Sequence, residues 1–176
     1  MLDDLTLDIL AKNILIEYNS CTMASERHLQ AVIYNSLKPL LPKGLSILIE
    51  PNIITKPKDS SIYGLIPDML LIDQSKVLGI IEIKYVPHSY PMYKKDFDTF
   101  IAFNTIKGKN DFGLYLKGQP KDGNWDENVL FSISQDLITY YIVIARHDSE
   151  FFTNTSVIVK EKFDRVKDYI FQPIFI

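Results

Sequence analysis

Three charged side chains stand where apolar strands should carry none. The stretch Ile66-Pro67-Asp68-Met69-Leu70-Leu71-Ile72-Asp73 and the stretch Val77-Leu78-Gly79-Ile80-Ile81-Glu82-Ile83-Lys84-Tyr85 are both apolar and of strand length. The first carries Asp68 near its start, the second Glu82 and Lys84 near its end. A charge inside a hydrophobic strand is costly unless it is paired or holds a metal, so the three together point to a site. Side chains alternate across a strand. Glu82 and Lys84 then share a face with Leu78 and Ile80, while Val77, Gly79, Ile81, Ile83 and Tyr85 take the other. Asp68 shares its face with Leu70 and Ile72. Gln74-Ser75-Lys76 between the segments is a polar loop of hairpin length. Folding back about residue 75 sets Asp68 opposite Glu82, with Cβ atoms about 5 Å apart. Two carboxylates that close repel unless a cation lies between them or one holds a proton. The chemistry of the pattern is therefore cation binding or proton sharing.

Each residue also has a plainer reading. Glu82 and Lys84 would form a surface salt bridge on an exposed strand, and Asp68 would cap a turn after Pro67. Those readings need exposed strands. Ile80, Ile81, Ile83, Leu70, Leu71 and Ile72 are instead apolar on both faces, the pattern of central strands covered on both sides. Upstream, Leu29, Ile33, Leu37 and Leu40 form a stripe at helical spacing within residues 23 to 41. One step back along it lies Glu26, after a capping Thr22 or Ser25. Glu26 is either an acid favoured in a first helical turn by the dipole or a continuation of the buried stripe toward the site.

Pro67-Asp68, a gap of 13 residues from Met69 to Ile81, and Glu82-Ile83-Lys84 resemble the motif of the PD-(D/E)xK nuclease superfamily, over roughly residues 22 to 105. The resemblance implies an α/β fold: a restriction-endonuclease-like core, a central mixed β-sheet flanked by helices in αβββαβ order. It implies a metal-dependent hydrolase of phosphodiester bonds, with DNA the favoured substrate. Mg²⁺ or Mn²⁺ would be held by Asp68, Glu82, the backbone carbonyl of Ile83 and, directly or through water, Glu26. Lys84 would stand beside the metal. A free lysine has a pKa of about 10.4 and nearby carboxylates push it higher, so its role is electrostatic and positioning ahead of general base. Glu50, ending a short strand, is a weaker candidate for supporting the site. The resemblance also places the segment with Tyr93, Lys94 and Lys95 on the sugar–phosphate backbone of the nucleic acid; a solvated helix start is the equal alternative.

The remaining elements follow from local patterns. Residues 4 to 18 read as an amphipathic helix, 23 to 41 as a second helix stopped by Pro42-Lys43-Gly44, and Leu45 to Glu50 as a strand. Pro51 to Tyr63 reads as a connection, about 90 to 107 as a helix ended by Gly108, and Phe112 to Leu116 as a strand. Residues 117 to 128 read as a surface loop and Ile138 to Ala145 as the best late strand. The end of the chain is open between strands and a short helix.

The 176 residues fit a single domain, 1–176, with room for a sizeable core. A hydrophobic content of 47% and a charged content of 23% belong to a soluble globular protein. Apolar runs are too short to span a membrane, and no basic leader opens the chain. Cys21 is the only cysteine, so no internal disulfide forms and the cytoplasm is the expected compartment. His28, His88 and His147 have no metal-ligand spacing. A net charge of −3 and a pI near 5.6 argue against strong nonspecific nucleic-acid binding, though a clustered patch can exist on an acidic protein. With no helix-turn-helix or zinc module, specificity is left to a homodimer, a partner protein or DNA structure. Two alternatives stay open: a nuclease fold that binds nucleic acid or a protein partner without cutting, and an unrelated interaction domain.

Overall fold

A computed structural model describes residues 2–55, 61–86, 94–108, 112–115, 130–145 and 169–175. Two helices lead. Helix α1 spans Asp4–Asn19, its start capped by the Asp3 carboxylate, which accepts the Thr6 amide at 2.8 Å. Helix α2 spans Glu26–Leu37, and the Ser25 hydroxyl accepts the His28 amide at 3.2 Å, satisfying one of the first-turn donors. Leu29, Ile33 and Leu37 of the expected stripe are buried. The helix stops short of residue 41, however, and Leu40 lies exposed beyond it.

The strands are β1 (Leu45–Ile49), β2 (Asn52–Thr55), β3 (Met69–Asp73), β4 (Lys76–Val86), β5 (Phe112–Tyr115), β6 (Leu130–Ala145) and β7 (Tyr169–Phe175); helix α3 (Lys94–Asn104) lies between β4 and β5. The main ladder runs β1-β3-β4-β6-β7. Here β3 is antiparallel to β1 and β4, and β6 is parallel to β4 and β7. The parallel neighbours β4 and β6 need a crossover, and α3 lies on it. Strands β2 and β5 pair with each other and join the first residues of β6. With that pair set apart, α2, β1, β3, β4, α3 and β6 follow in the order helix, three strands, helix, strand. The architecture is α/β, a mixed sheet flanked by helices, as expected. Two local expectations change: the connection after Pro51 contains β2, and the late strand begins at Leu130; at the chain end, left open between strands and a short helix, the described residues form strand β7. The expected loop at 117–128 lies outside the described residues.

The two sheet faces carry separate cores. On one, Leu7, Leu10 and Ile14 of α1 and Leu29, Ile33 and Leu37 of α2 pack on Met69, Leu71, Ile81 and Ile83. On the other, Phe97, Phe100 and Phe103 of α3 pack on Leu70, Ile72, Ile80 and Tyr141. The double cover explains why β3 and β4 are apolar on both faces.

The β3–β4 hairpin positions the acidic residues. Its register, Met69↔Ile81, Leu70↔Ile80 and Leu71↔Gly79, puts Asp68 level with Glu82, as the fold-back about residue 75 requires. The turn itself is tighter than expected. Gln74 and Ser75 alone form it, Gln74 at φ +52°, and Asp73 pairs with Lys76. The register then slips by one at Leu78, which has no partner in either neighbouring strand. That slip moves Val77 onto the α3 face with Ile80, correcting its expected place beside Gly79 and Ile81. Gly79 stays a glycine for a steric reason: a Cβ there would come within 3.1 Å of Leu71 and 3.2 Å of Tyr140.

Candidate active site

Strand β3 begins at Met69, whereas β4 runs on to Val86. Beyond Asp68 the β3-facing edge of β4 therefore has no strand beside it among the described residues. The amides of Ile83 and Tyr85 share that edge with Ile81, the last residue paired to β3. Carboxylates take the place of the missing strand. Asp68 Oδ2 accepts the Ile83 amide at 2.7 Å, and Glu26 Oε2 accepts the Tyr85 amide at 3.4 Å. Asp68 is also held by its own carbonyl, which accepts Gln30 Nε2 at 3.1 Å and the Glu50 amide at 3.0 Å. The Tyr85 hydroxyl donates to the Met23 carbonyl at 2.9 Å and pins the approach to α2. Glu26, Arg27, Gln30, Glu50, Asp68 and Ile83 line a cleft of about 130 Å³ at this edge.

Glu26, Asp68, Glu82 and Lys84 all meet at this end of β4, but not as one converging set. Glu26 is the first residue of α2 with a side chain 46% exposed, so it does not continue the buried stripe. The stripe fails there because Glu26 is turned to the unpaired edge of β4, where it meets the Tyr85 amide and Lys84. Glu82, in contrast, is 1% exposed, and among the described residues its carboxylate oxygens meet no N–H or hydroxyl donor, only the Asp68 carboxyl with which a proton can be shared. Burial pushes its carboxyl well above the usual range, and the charges of Asp68 and then Asp96 push it further. Among the described residues, no three His, Cys, Asp or Glu side chains form a group that would hold a metal ion. Asp68 and Glu82 are the adjacent oxygen donors.

Lys84 is an ion-pair hub. Its Nζ lies 3.3 Å from Asp96 Oδ2 and 3.8 Å from Glu26 Oε1. Burial works against the ammonium charge, but Asp96, Glu26 and Asp68 outweigh it and hold the lysine above its ordinary pKa. Asp96, on α3, is the residue that sequence reasoning missed. It is 1% exposed and accepts the Tyr141 hydroxyl at 3.1 Å. Burial raises its carboxyl to about 6 against the opposing pull of Lys84 and Tyr141. A signal was present: Asp96, Phe100 and Phe103 share one helical stripe, so a step back from the phenylalanines lands on an acid.

The expected nucleic-acid contacts divide. Lys95 is exposed on the first turn of α3. Lys94 opens that helix, but its side chain and the whole of Tyr93 lie outside the described residues. Among the described residues no helix is long and apolar enough to cross a membrane. No protein-family model, curated protein or solved structure matches the chain.

Proposed function

We propose that the chain is a metal-dependent nuclease, hydrolysing phosphodiester bonds with DNA the favoured substrate, built on a restriction-endonuclease-like core. Glu82 carries the reading. A carboxylate buried beside the Asp68 carboxyl, with no N–H or hydroxyl donor among the described residues, is a strong cost to the fold unless a proton shared with Asp68 or a cation meets it. The adjacent donors are of the type a hard divalent ion takes: carboxylate oxygens of Asp68 and Glu82, with the Ile83 carbonyl on the same cleft. Magnesium keeps several of its own waters, so few protein ligands suffice. When bound, Mg²⁺ or Mn²⁺ supplies charge at the phosphate and lowers the pKa of a water.

The protein's own groups do the rest. Asp68 is fixed at both backbone and side chain, so its carboxylate loses little entropy on binding. Lys84 stays an ammonium at neutral pH because of its acidic neighbours, which suits it to stabilise transition-state charge and unsuits it to accept a proton. A second reading, a nuclease fold that binds nucleic acid or a protein partner without cutting, draws on the spread of the carboxylates. Glu26 is engaged by Lys84 and the Tyr85 amide, so it does not converge with the other two.

Cleavage decides between them. Incubated with single-stranded DNA, double-stranded DNA and RNA, the protein is expected to cut in Mg²⁺ or Mn²⁺ and to stop in EDTA. Asp68→Ala should lower the rate by about 100-fold or more. Absence of cleavage on every substrate, together with calorimetric Mn²⁺ binding unaffected by Asp68→Ala, would replace this reading with the second.

A further inference from the structure

We propose that Asp96 is a positioning residue for Lys84, and that Tyr141 in turn holds Asp96. For its purpose this rests on the nuclease reading; for its geometry it does not. A lysine side chain has large rotamer freedom, so an ammonium useful at a reacting phosphate has to be fixed. Lys84 sits near the end of β4, where β3 no longer flanks the strand and its exposure is 17%. Glu26 approaches from α2 at 3.8 Å but is itself half exposed, which makes it a soft anchor. Asp96 approaches from α3 at 3.3 Å and is buried.

What makes Asp96 a hard anchor is the structure behind it. The oxygen that meets Lys84, Oδ2, is the one that accepts the Tyr141 hydroxyl. Tyr141 lies level with Glu82 in the β4–β6 register and is fully buried. Its ring packs against Phe97 at 5.8 Å and edge-on against Phe100 at 5.9 Å, both on the helix that carries Asp96. Ring stacking thus fixes the hydroxyl, the hydroxyl fixes the carboxylate, and the carboxylate fixes the ammonium two residues beyond Glu82. A purely structural tie between α3 and the sheet would be better served by an apolar side chain at position 96, because a buried ion pair contributes little net stability. Charge at that position makes sense if its use is to aim Lys84.

The test uses the full chain and two independent readouts. The first is the ¹H–¹⁵N signal of the Lys84 ammonium at low temperature, assigned by its loss in Lys84→Ala. It should be visible in the wild type, because a held and shielded ammonium exchanges slowly, and broadened away in Asp96→Asn. The second is kinetics on a DNA duplex. Asp96→Asn should lower kcat by about 10- to 100-fold with KM little changed, and adding it to Lys84→Ala should cause no further loss. Tyr141→Phe, which deletes one hydroxyl, should shift both readouts in the same direction by less, and it serves if Asp96→Asn does not fold. An undiminished ammonium signal in folded Asp96→Asn, or losses that add in the double variant, would overturn the proposal. A wild type that does not cleave removes the nuclease reading, while the ammonium signal still decides whether Asp96 positions Lys84.

Discussion

Glu82→Gln is expected to stabilise the metal-free protein and to abolish its response to divalent cations. The wild-type carboxyl is buried, meets no N–H or hydroxyl donor among the described residues, and faces the charges of Asp68 and Asp96. An acid whose pKa is higher in the folded than in the unfolded state binds its proton more tightly when folded. Stability is then greatest below the unfolded value of 4.5 and is lost as pH rises from there toward the folded value. Glutamine has nearly the same shape and no charge, so it removes that loss. The variant should match the wild type near pH 4 and exceed it increasingly above, by about 1–3 kcal/mol in weakly alkaline buffer. In a chain of this length each kcal/mol moves Tm by about 2–4 °C. Mn²⁺ at about 100 times its dissociation constant should stabilise the wild type by about 2.7 kcal/mol and leave the variant unmoved. Thermal denaturation across pH, with and without Mn²⁺, measures both. A variant less stable at every pH would show that Glu82 is not strained, and one that keeps the wild-type Mn²⁺ shift would show that it is not a ligand.

The opposition of Asp68 and Glu82 was legible because it depends only on alternation and on where the chain folds back. The structure reaches that register by another route. A two-residue turn would shift the pairing by one, and the unpaired Leu78 shifts it back. Val77 changes face in consequence, a detail that no period-2 pattern can hold. Glu26 shows the limit of periodicity at a helix end. The stripe from Leu29 to Leu37 is buried because a sheet lies under it, and one turn earlier Glu26 meets the polar edge of β4 and stays half exposed. Asp96 was hidden for the opposite reason. An aspartate in a first helical turn is satisfied by the helix dipole, so it asks for no partner in the sequence. Its partners come from β4 and β6, and their adjacency is a matter of strand order, which local patterns do not contain.

Lys84→Ala should destabilise the fold chiefly above pH 6, and a second substitution should reverse most of the loss. With Lys84 present, burial already holds the Asp96 carboxyl at about 6, above its ordinary 3.8. Removing the ammonium takes away the strongest opposing influence, so the folded pKa rises further. Between pH 3.8 and the new value the folded chain binds a proton that the unfolded chain has released, and stability falls with rising pH throughout. At pH 8 the cost should reach about 3 kcal/mol, the low end for breaking a buried pair, because Lys84 keeps some water. At pH 4 the charge contributes nothing and only the packing of the lysine stem is lost. Adding Asp96→Asn removes the stranded carboxylate, so the double variant should recover most of the loss at pH 8, a non-additivity that urea denaturation would measure. Equal destabilisation at pH 4 and pH 8, or no recovery in the double variant, would mean that the two side chains are neighbours without being coupled. If they are coupled, the pair adds little to stability that an apolar pair would not.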